Sequence, residues 1–310
     1  MRKLLTVIAV IIILLAIVVG VGQWMNSNNN GPNNPIPGAP NGGTEETEAQ
    51  NPPGCSAYEF ISAPGTWESS AMDDPMDPTA NPRSLMLSVT NPLKEQLPED
   101  QVKVWTLPYT AEFRNVNAMQ EMSYDDSRRE GFDRMAAELR ATHEACPATK
   151  FIISGFSQGA VLSGDIAAEI GNGSGPVPAS SVAGVALIAD GRLERDKGNF
   201  IGNTNNTGVG AEISLNIVNG LVQPIVPGAT MRGPRPDGFG ELSDRVNNFC
   251  APGDMICDSP RDFGNALQRA RELVGDNAAH ALYASNPNVI PGQTVPQWIV
   301  DWARGIVTAG

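Results

Sequence analysis

An apolar strand that runs into Gly155-Phe156-Ser157-Gln158-Gly159, and out again into a helix, constrains this chain more than any other feature. Lys150 to Ser154 reads as a short buried strand, with Phe151, Ile152 and Ile153 in succession. Ala160, Val161, Gly164, Ala167 and Ala168 follow with helical spacing. Strand, G-x-S-x-G and helix together predict a nucleophile elbow. So sharp a turn strains the serine backbone, and a glycine two residues to either side leaves room where a side chain would clash. The turn lifts the Ser157 hydroxyl above the sheet, and the helix N-terminus beneath it favours developing negative charge. No second G-x-S-x-G occurs in the chain.

Strand-like and helix-like segments alternate on both sides of the elbow. Tyr58 to Ile61, Val102 to Trp105 and Val182 to Ile188 read as strands; Arg83 to Leu97 and Ser127 to Ala145 read as helices. Leu215 to Val218, or Leu221 to Val226, is expected to supply the last strand. Trp298, Ile299, Trp302 and Ile306 mark a C-terminal helix, whose tryptophans are expected to pack on the sheet rather than at a membrane interface. Such alternation implies crossover connections and a mostly parallel sheet covered on both faces. The chemistry of such sheets gathers at the carboxyl ends of the strands, where Ser157 lies. Gly198 to Gly210 and Pro227 to Gly240 read as polar surface loops.

A serine hydroxyl needs an adjacent base. The chain has two histidines. His143 precedes the elbow on a helix face and reads as structural, whereas His280 follows Ser157, as the α/β-hydrolase order requires. Two carboxylates compete for the acid. Asp190 ends a predicted strand, and Asp254 sits between Cys250 and Cys257, where a bridge would hold it in place. The small loop favours Asp254 modestly, and Asp190 stays open on these grounds.

Arg2 and Lys3 precede an apolar run from Leu4 to Val21. As a helix it would span about 27 Å, close to a hydrocarbon core. It is long for a cleaved signal and no clear A-x-A site follows, so residues 1–24 are expected to be a retained anchor, with a cleaved signal as the alternative. Both place the remainder outside the plasma membrane. Residues 25–54, rich in Asn, Gly, Pro and Glu, are expected to be a disordered tether. The four cysteines, Cys55, Cys146, Cys250 and Cys257, all fall in the exported part, where an even count suggests two disulfides. Cys250 and Cys257 close a small loop, which leaves Cys55 with Cys146. The formal net charge of −13 argues against nucleic acid and against docking on anionic lipid through a basic patch. Nothing resembles a phosphate-cradling loop or a zinc array, so no metal or organic cofactor is expected.

The chain from about Cys55 to its end resembles the cutinase family of serine esterases. Gly155-Phe156-Ser157-Gln158-Gly159 is similar to the family's G-[YF]-S-Q-G elbow. Cys250 to Cys257 with Asp254 inside is similar to its C-x-x-x-D-x-x-C segment, and His280 to Tyr283 to its H-x-x-Y. Cys55 and Cys146 fit its first disulfide. The resemblance implies a single α/β-hydrolase domain over 55–310, built as a three-layer sandwich and expected to be monomeric. It implies a Ser157, Asp254, His280 triad, which raises Asp254 above Asp190. It further implies oxyanion donors at Gln158 and at Thr66, the latter in a Gly-Thr step after the first strand, with Pro64 standing where the family carries a basic residue. The anchor and tether look more like the membrane-attached, cutinase-like lipases of mycolate-producing actinobacteria. Their resemblance implies a hydrolase of envelope lipid esters or thioesters. The rival readings are an acyltransferase with the same triad, an acetyl-carbohydrate esterase, and a non-catalytic envelope protein.

Overall fold

The computed structural model describes residues 50–202, 205–261 and 279–309. The apolar run Leu4–Val21 and most of the expected tether lie outside them. Asn51, at the end of the tether stretch, is fastened to the domain: its amide donates to Thr149 Oγ1 at 3.0 Å and accepts from the Ala148 N–H at 2.8 Å. Among the described residues no helix is long and apolar enough to cross a membrane.

The strands are β1 (Tyr58–Ala63), β2 (Val102–Thr106), β3 (Lys150–Phe156), β4 (Val182–Ile188), β5 (Asn199–Phe200) and β6 (Val246–Phe249). They form one parallel sheet in the order β2-β1-β3-β4-β6-β5. The longer helices are α1 (Leu87–Gln96), α2 (Tyr124–Ala145), α3 (Gln158–Gly171) and α4 (Val295–Ala309).

Side chains alternate across the strands, so each strand feeds two cores. Phe60, Ile152, Ala186 and Ile188 pack with Val89 and Leu93 of α1 and Ile299 and Ala303 of α4. Their neighbours Ile61, Ile153, Val185 and Leu187 pack on the other face with Met135 and Leu139 of α2 and Leu162 and Ile166 of α3. Because both faces are covered, the strands read as near-continuous apolar runs rather than alternating ones. Each of the larger side chains among them, Val, Leu, Ile, Phe or Met, contributes about 1.5–3 kcal/mol of burial. The tryptophans of α4 pack as expected. A Cβ on Gly184 of β4 would lie 2.4 Å from Trp302 Cζ2, and Trp298 meets Phe249 edge-on with centroids 5.0 Å apart.

Four boundaries differ from expectation. Helix α1 begins at Leu87 rather than Arg83, because Ser84 and Leu85 turn towards the Glu68 carboxylate and bond it ahead of the helix. Helix α2 begins a turn earlier than Ser127, because Ser123 caps it by accepting from the Asp126 N–H while Asp125 and Asp126 oppose the helix dipole. Asn199–Phe200, inside the expected Gly198–Gly210 loop, pairs with β6 as a short edge strand. The last long strand is β6, not Leu215–Val218 or Leu221–Val226. Those residues form helical turns instead, and Leu215, Val222, Ile225 and Val226 bury against Tyr124 in a small third cluster. Strand β6 escaped notice because its centre is Asn247-Asn248, two polar residues in a four-residue strand. Asn248 spends its amide on the Lys197 carbonyl at 2.9 Å.

Cys55 is bonded to Cys146 and Cys250 to Cys257. The first bridge ties the entry to β1 to the end of α2 across 91 residues. In chain-entropy terms a closure of that length is worth about 4–5 kcal/mol.

Candidate active site

Ser157 stands between β3 and α3 with φ 55° and ψ −118°, a left-handed conformation for a residue with a side chain. Its N–H donates to the Ile188 carbonyl at 2.8 Å, which anchors the turn to β4. The flanking glycines are required by contact. A Cβ on Gly155 would sit 2.3 Å from the Gly159 oxygen, and one on Gly159 would sit 2.1 Å from the Ala63 oxygen. The second approach presses the start of α3 against the loop that leaves β1. Trp67, Ser157 and Ala189 are the non-glycine residues at positive φ among those described, and they follow β1, β3 and β4. Each such residue costs about 1–3 kcal/mol, and such strain concentrates at functional sites.

The elbow hydroxyl meets an imidazole. His280 Nε2 lies 2.9 Å from Ser157 Oγ, and His280 Nδ1 lies 2.9 Å from Asp254 Oδ2. Asp254 is fully buried, Ser157 is 9% exposed, and the His280 side chain is 21% exposed. Asp254 Oδ1 accepts from the Ile256 N–H at 2.9 Å, and Oδ2 also accepts from the Tyr283 hydroxyl at 2.8 Å. Burial alone would raise the Asp254 pKa. The charge and hydrogen bond of His280, with the Ile256 and Tyr283 donors, outweigh burial and hold it below the usual carboxylate value. The Phe156 ring stacks on the imidazole with centroids 4.8 Å apart.

Asp190, the competing acid, is engaged elsewhere. Its carboxylate takes Arg235 Nη1 at 2.6 Å and Nη2 at 3.2 Å. His143 lies in the last turn of α2, which leads into the amino end of β3, the end of the sheet away from Ser157.

Thr66 and Gln158 are brought together by the Gly159 contact. The Thr66 hydroxyl donates to Gln158 Oε1 at 3.0 Å, and Gln158 Nε2 donates to Ser127 Oγ at 2.8 Å. Ser127 in turn bonds the Thr110 carbonyl. The loops after β1 and β2 and the first residue of α3 are thereby locked side by side.

The family model of cutinase matches residues 54–284. The chain belongs to the cutinase family. It is 58% identical over 311 aligned positions to the carboxylesterase Culp6 homolog of Corynebacterium glutamicum, with all of both chains covered. The fold is similar to that of an acetylxylan esterase, at 13% identity and a TM-score of 0.51, covering 82% of this chain and 99% of that one. A cutinase-like protein from Cryptococcus sp. also aligns, at 19% identity and a TM-score of 0.48, covering 84% of this chain and 98% of the other. The protein is a carboxylic ester hydrolase of actinobacterial cutinase type.

Sequence reasoning assigned no role to two neighbours of the cutinase-family site. Tyr283 stood in the H-x-x-Y pattern, yet its hydroxyl is what joins Asp254 Oδ2 to the Ala251 N–H, each at 2.8 Å. A tyrosine three residues after His280, on the same helical turn, was the signal for it. Glu68 had no signal of its own beyond following the Gly65-Thr66 step.

Proposed function

We propose that the protein hydrolyses acyl esters or thioesters of lipids through a covalent acyl-Ser157 intermediate. The observation that carries this reading is the unbroken run of two 2.9 Å contacts from Ser157 Oγ through His280 to Asp254. Ser157 Oγ attacks the carbonyl carbon as His280 Nε2 takes its proton. Asp254 holds Nδ1–H and stabilises the imidazolium. The backbone N–H groups of Thr66 and Gln158 receive the oxyanion, and loss of one such donor typically costs about 3 kcal/mol of transition-state binding. The C–O or C–S bond then breaks, and His280 returns the proton to the leaving alcohol or thiol. Water repeats the sequence, releases the acid and restores Ser157.

A lipid substrate is favoured by exposed apolar side chains next in sequence to the site residues: Trp67 follows Thr66 and is 56% exposed, and Leu282, two residues past His280, is 47% exposed. The Leu4–Val21 run favours a membrane-held catalytic domain on the extracytoplasmic side, and the two disulfides fit an oxidising compartment.

Hydrolysis of p-nitrophenyl esters across acyl lengths tests the reading. Turnover is expected to need Ser157, to vanish in Ser157→Ala, and to favour long chains. Undiminished turnover by that variant would refute the chemistry. Activity on acetyl esters alone would move the substrate to acetylated carbohydrate, and an acyl-transfer product with an added lipid or sugar alcohol would make water the minor acceptor.

A further inference from the structure

Glu68 lies outside the Ser157, His280 and Asp254 chain, yet its carboxylate is aimed at the loop beside it. Glu68 Oε2 accepts from the Gly65 N–H at 3.1 Å and from the Ser84 hydroxyl at 3.1 Å, and Oε1 accepts from the Leu85 N–H at 3.0 Å. The Glu68 N–H donates to the Gly65 carbonyl at 3.1 Å. Both main-chain polar groups of Gly65 are therefore bonded to Glu68, one through its side chain and one through its backbone.

The backbone bond needs no particular side chain at position 68; what the carboxylate adds is its hold on the Gly65 N–H, Ser84 and Leu85, which fixes where the Glu68 N–H meets the Gly65 carbonyl. The Gly65 carbonyl and the Thr66 N–H belong to one planar trans peptide, so they point in opposite directions. Holding the carbonyl aims the N–H. The other side of Gly65 is walled by the elbow, since a Cβ there would lie 2.8 Å from Phe156 Cδ1. Trp67, the residue after Thr66, is held at φ 62° by bonds from the Asn81 amide to its carbonyl and from its own N–H to the Ala111 carbonyl. The loop is thus strained, and Glu68 is the side chain that pins its turn to the residues leading into α1.

We propose that Glu68 is a positioning residue that sets the direction of the Thr66 N–H and so completes the oxyanion site. The proposal rests on the acyl-Ser157 reading above. Burial raises the Glu68 pKa, and the three donors and His280 pull it back only in part. An amide cannot replace this carboxylate. Three donors converge on it, so the NH2 of a glutamine would face at least one N–H or O–H.

The test is Glu68→Gln in the full chain, with a soluble p-nitrophenyl ester. Expected is a fall in kcat of about 10- to 100-fold with KM within about threefold, because a donor misplaced by an ångström costs transition-state rather than ground-state binding. The rate of labelling by a fluorophosphonate, whose phosphoryl oxygen uses the same donors, should fall in proportion. Unchanged kcat and labelling in a folded Glu68→Gln overturn the proposal, even if Tm drops, because a fold staple alone would give that pattern. If Glu68→Gln does not fold, Glu68→Asp and Ser84→Ala carry the test. Both should lower kcat at constant KM, the aspartate more, and neither doing so overturns it. Ser157→Ala assayed alongside keeps the two readings apart. Turnover independent of Ser157 sinks the mechanism, whereas Ser157-dependent turnover indifferent to Glu68 sinks only the role of Glu68.

Discussion

Two buried polar networks meet helix α3, one at its first turn and one two turns further along. At its start lies the run Ser157, His280, Asp254. Further on, Asp165 receives Arg192 Nη1 at 2.8 Å, Arg235 Nε at 2.9 Å and Arg232. Arg235 also pairs with Asp190, and Arg232 with Glu212. Both networks lower a buried carboxylate: Asp254 falls below its usual value, and Asp165 falls to about 2 despite its burial, through Arg235, Arg232 and Arg192. The difference lies in the partners. Guanidinium groups are always charged, so none of the partners of Asp165 changes state in the neutral range. An imidazole can gain and lose a proton, and its far nitrogen faces a hydroxyl. Lowered carboxylates therefore do not distinguish catalysis from architecture; the titratable partner does.

The largest expected effect breaks the first network. Asp254→Asn should lower kcat about 10⁴-fold, since the amide leaves the imidazole in the wrong tautomer with its positive form unsupported. Steady-state kinetics on a soluble ester checks it, and a loss under tenfold would return Asp254 to a structural role. Breaking the second network should do the opposite. Arg235→Met leaves Asp190 and Asp165 buried with less compensation, at about 3–5 kcal/mol of stability. Gly164 exists to admit this side chain, because a Cβ there would lie 2.4 Å from Arg235 Nη2. Urea unfolding should show the loss, while kcat of the folded fraction stays near wild type. A kcat that falls with stability would mean the two networks are coupled through α3.

Tyr283→Phe tests the join between Asp254 and its disulfide loop. It removes one of the donors to Asp254 Oδ2 and leaves the buried Ala251 N–H unmet. A buried group left unpaired costs about 1–3 kcal/mol, so stability and kcat should each drop modestly, kcat by about tenfold. An unchanged kcat would show that His280 and the Ile256 N–H suffice to hold Asp254.

The contrast also explains what the sequence could and could not reveal. The elbow was legible because its constraints are local: Gly155 and Gly159 are forced by contacts within a few residues or with one neighbouring strand. His280 was legible through scarcity, as the sole histidine after Ser157. The choice between Asp190 and Asp254 was not settled by the residues alone, because what disqualifies Asp190 is Arg235, 45 residues away and brought in by a loop without periodicity. The arginine network was invisible for the same reason. The strand at Val246–Phe249 was missed because its asparagines carry no apolar pattern, while Leu215 to Val226 carried one that serves a helical cluster.

A third buried carboxylate sharpens the comparison, since its shift runs the other way. Glu59 of β1 is fully buried, with Lys103 Nζ at 2.8 Å, and Lys103 is shared with Glu138 of α2. Burial dominates and pushes the Glu59 pKa up to about 7, against the pull of Lys103 and Thr142. Lys103 itself is held above its usual value by the two carboxylates, although burial opposes this, so it stays charged through the neutral range. The folded state thus keeps the Glu59 proton to higher pH than the unfolded chain does. Its contribution to stability is full below about 4.5, declines as pH rises, and is gone above about 7. Asp165 runs in the opposite sense, losing its contribution only as pH falls from about 4 towards 2. Glu59→Gln should therefore flatten the Tm profile between pH 5 and 7, a change of about 2–4 °C per kcal/mol for a domain of this size. The acid limb below pH 4 should keep its slope. If the neutral limb survives the substitution, burial does not govern Glu59, and a single lysine holds its carboxylate charged as firmly as three arginines hold Asp165.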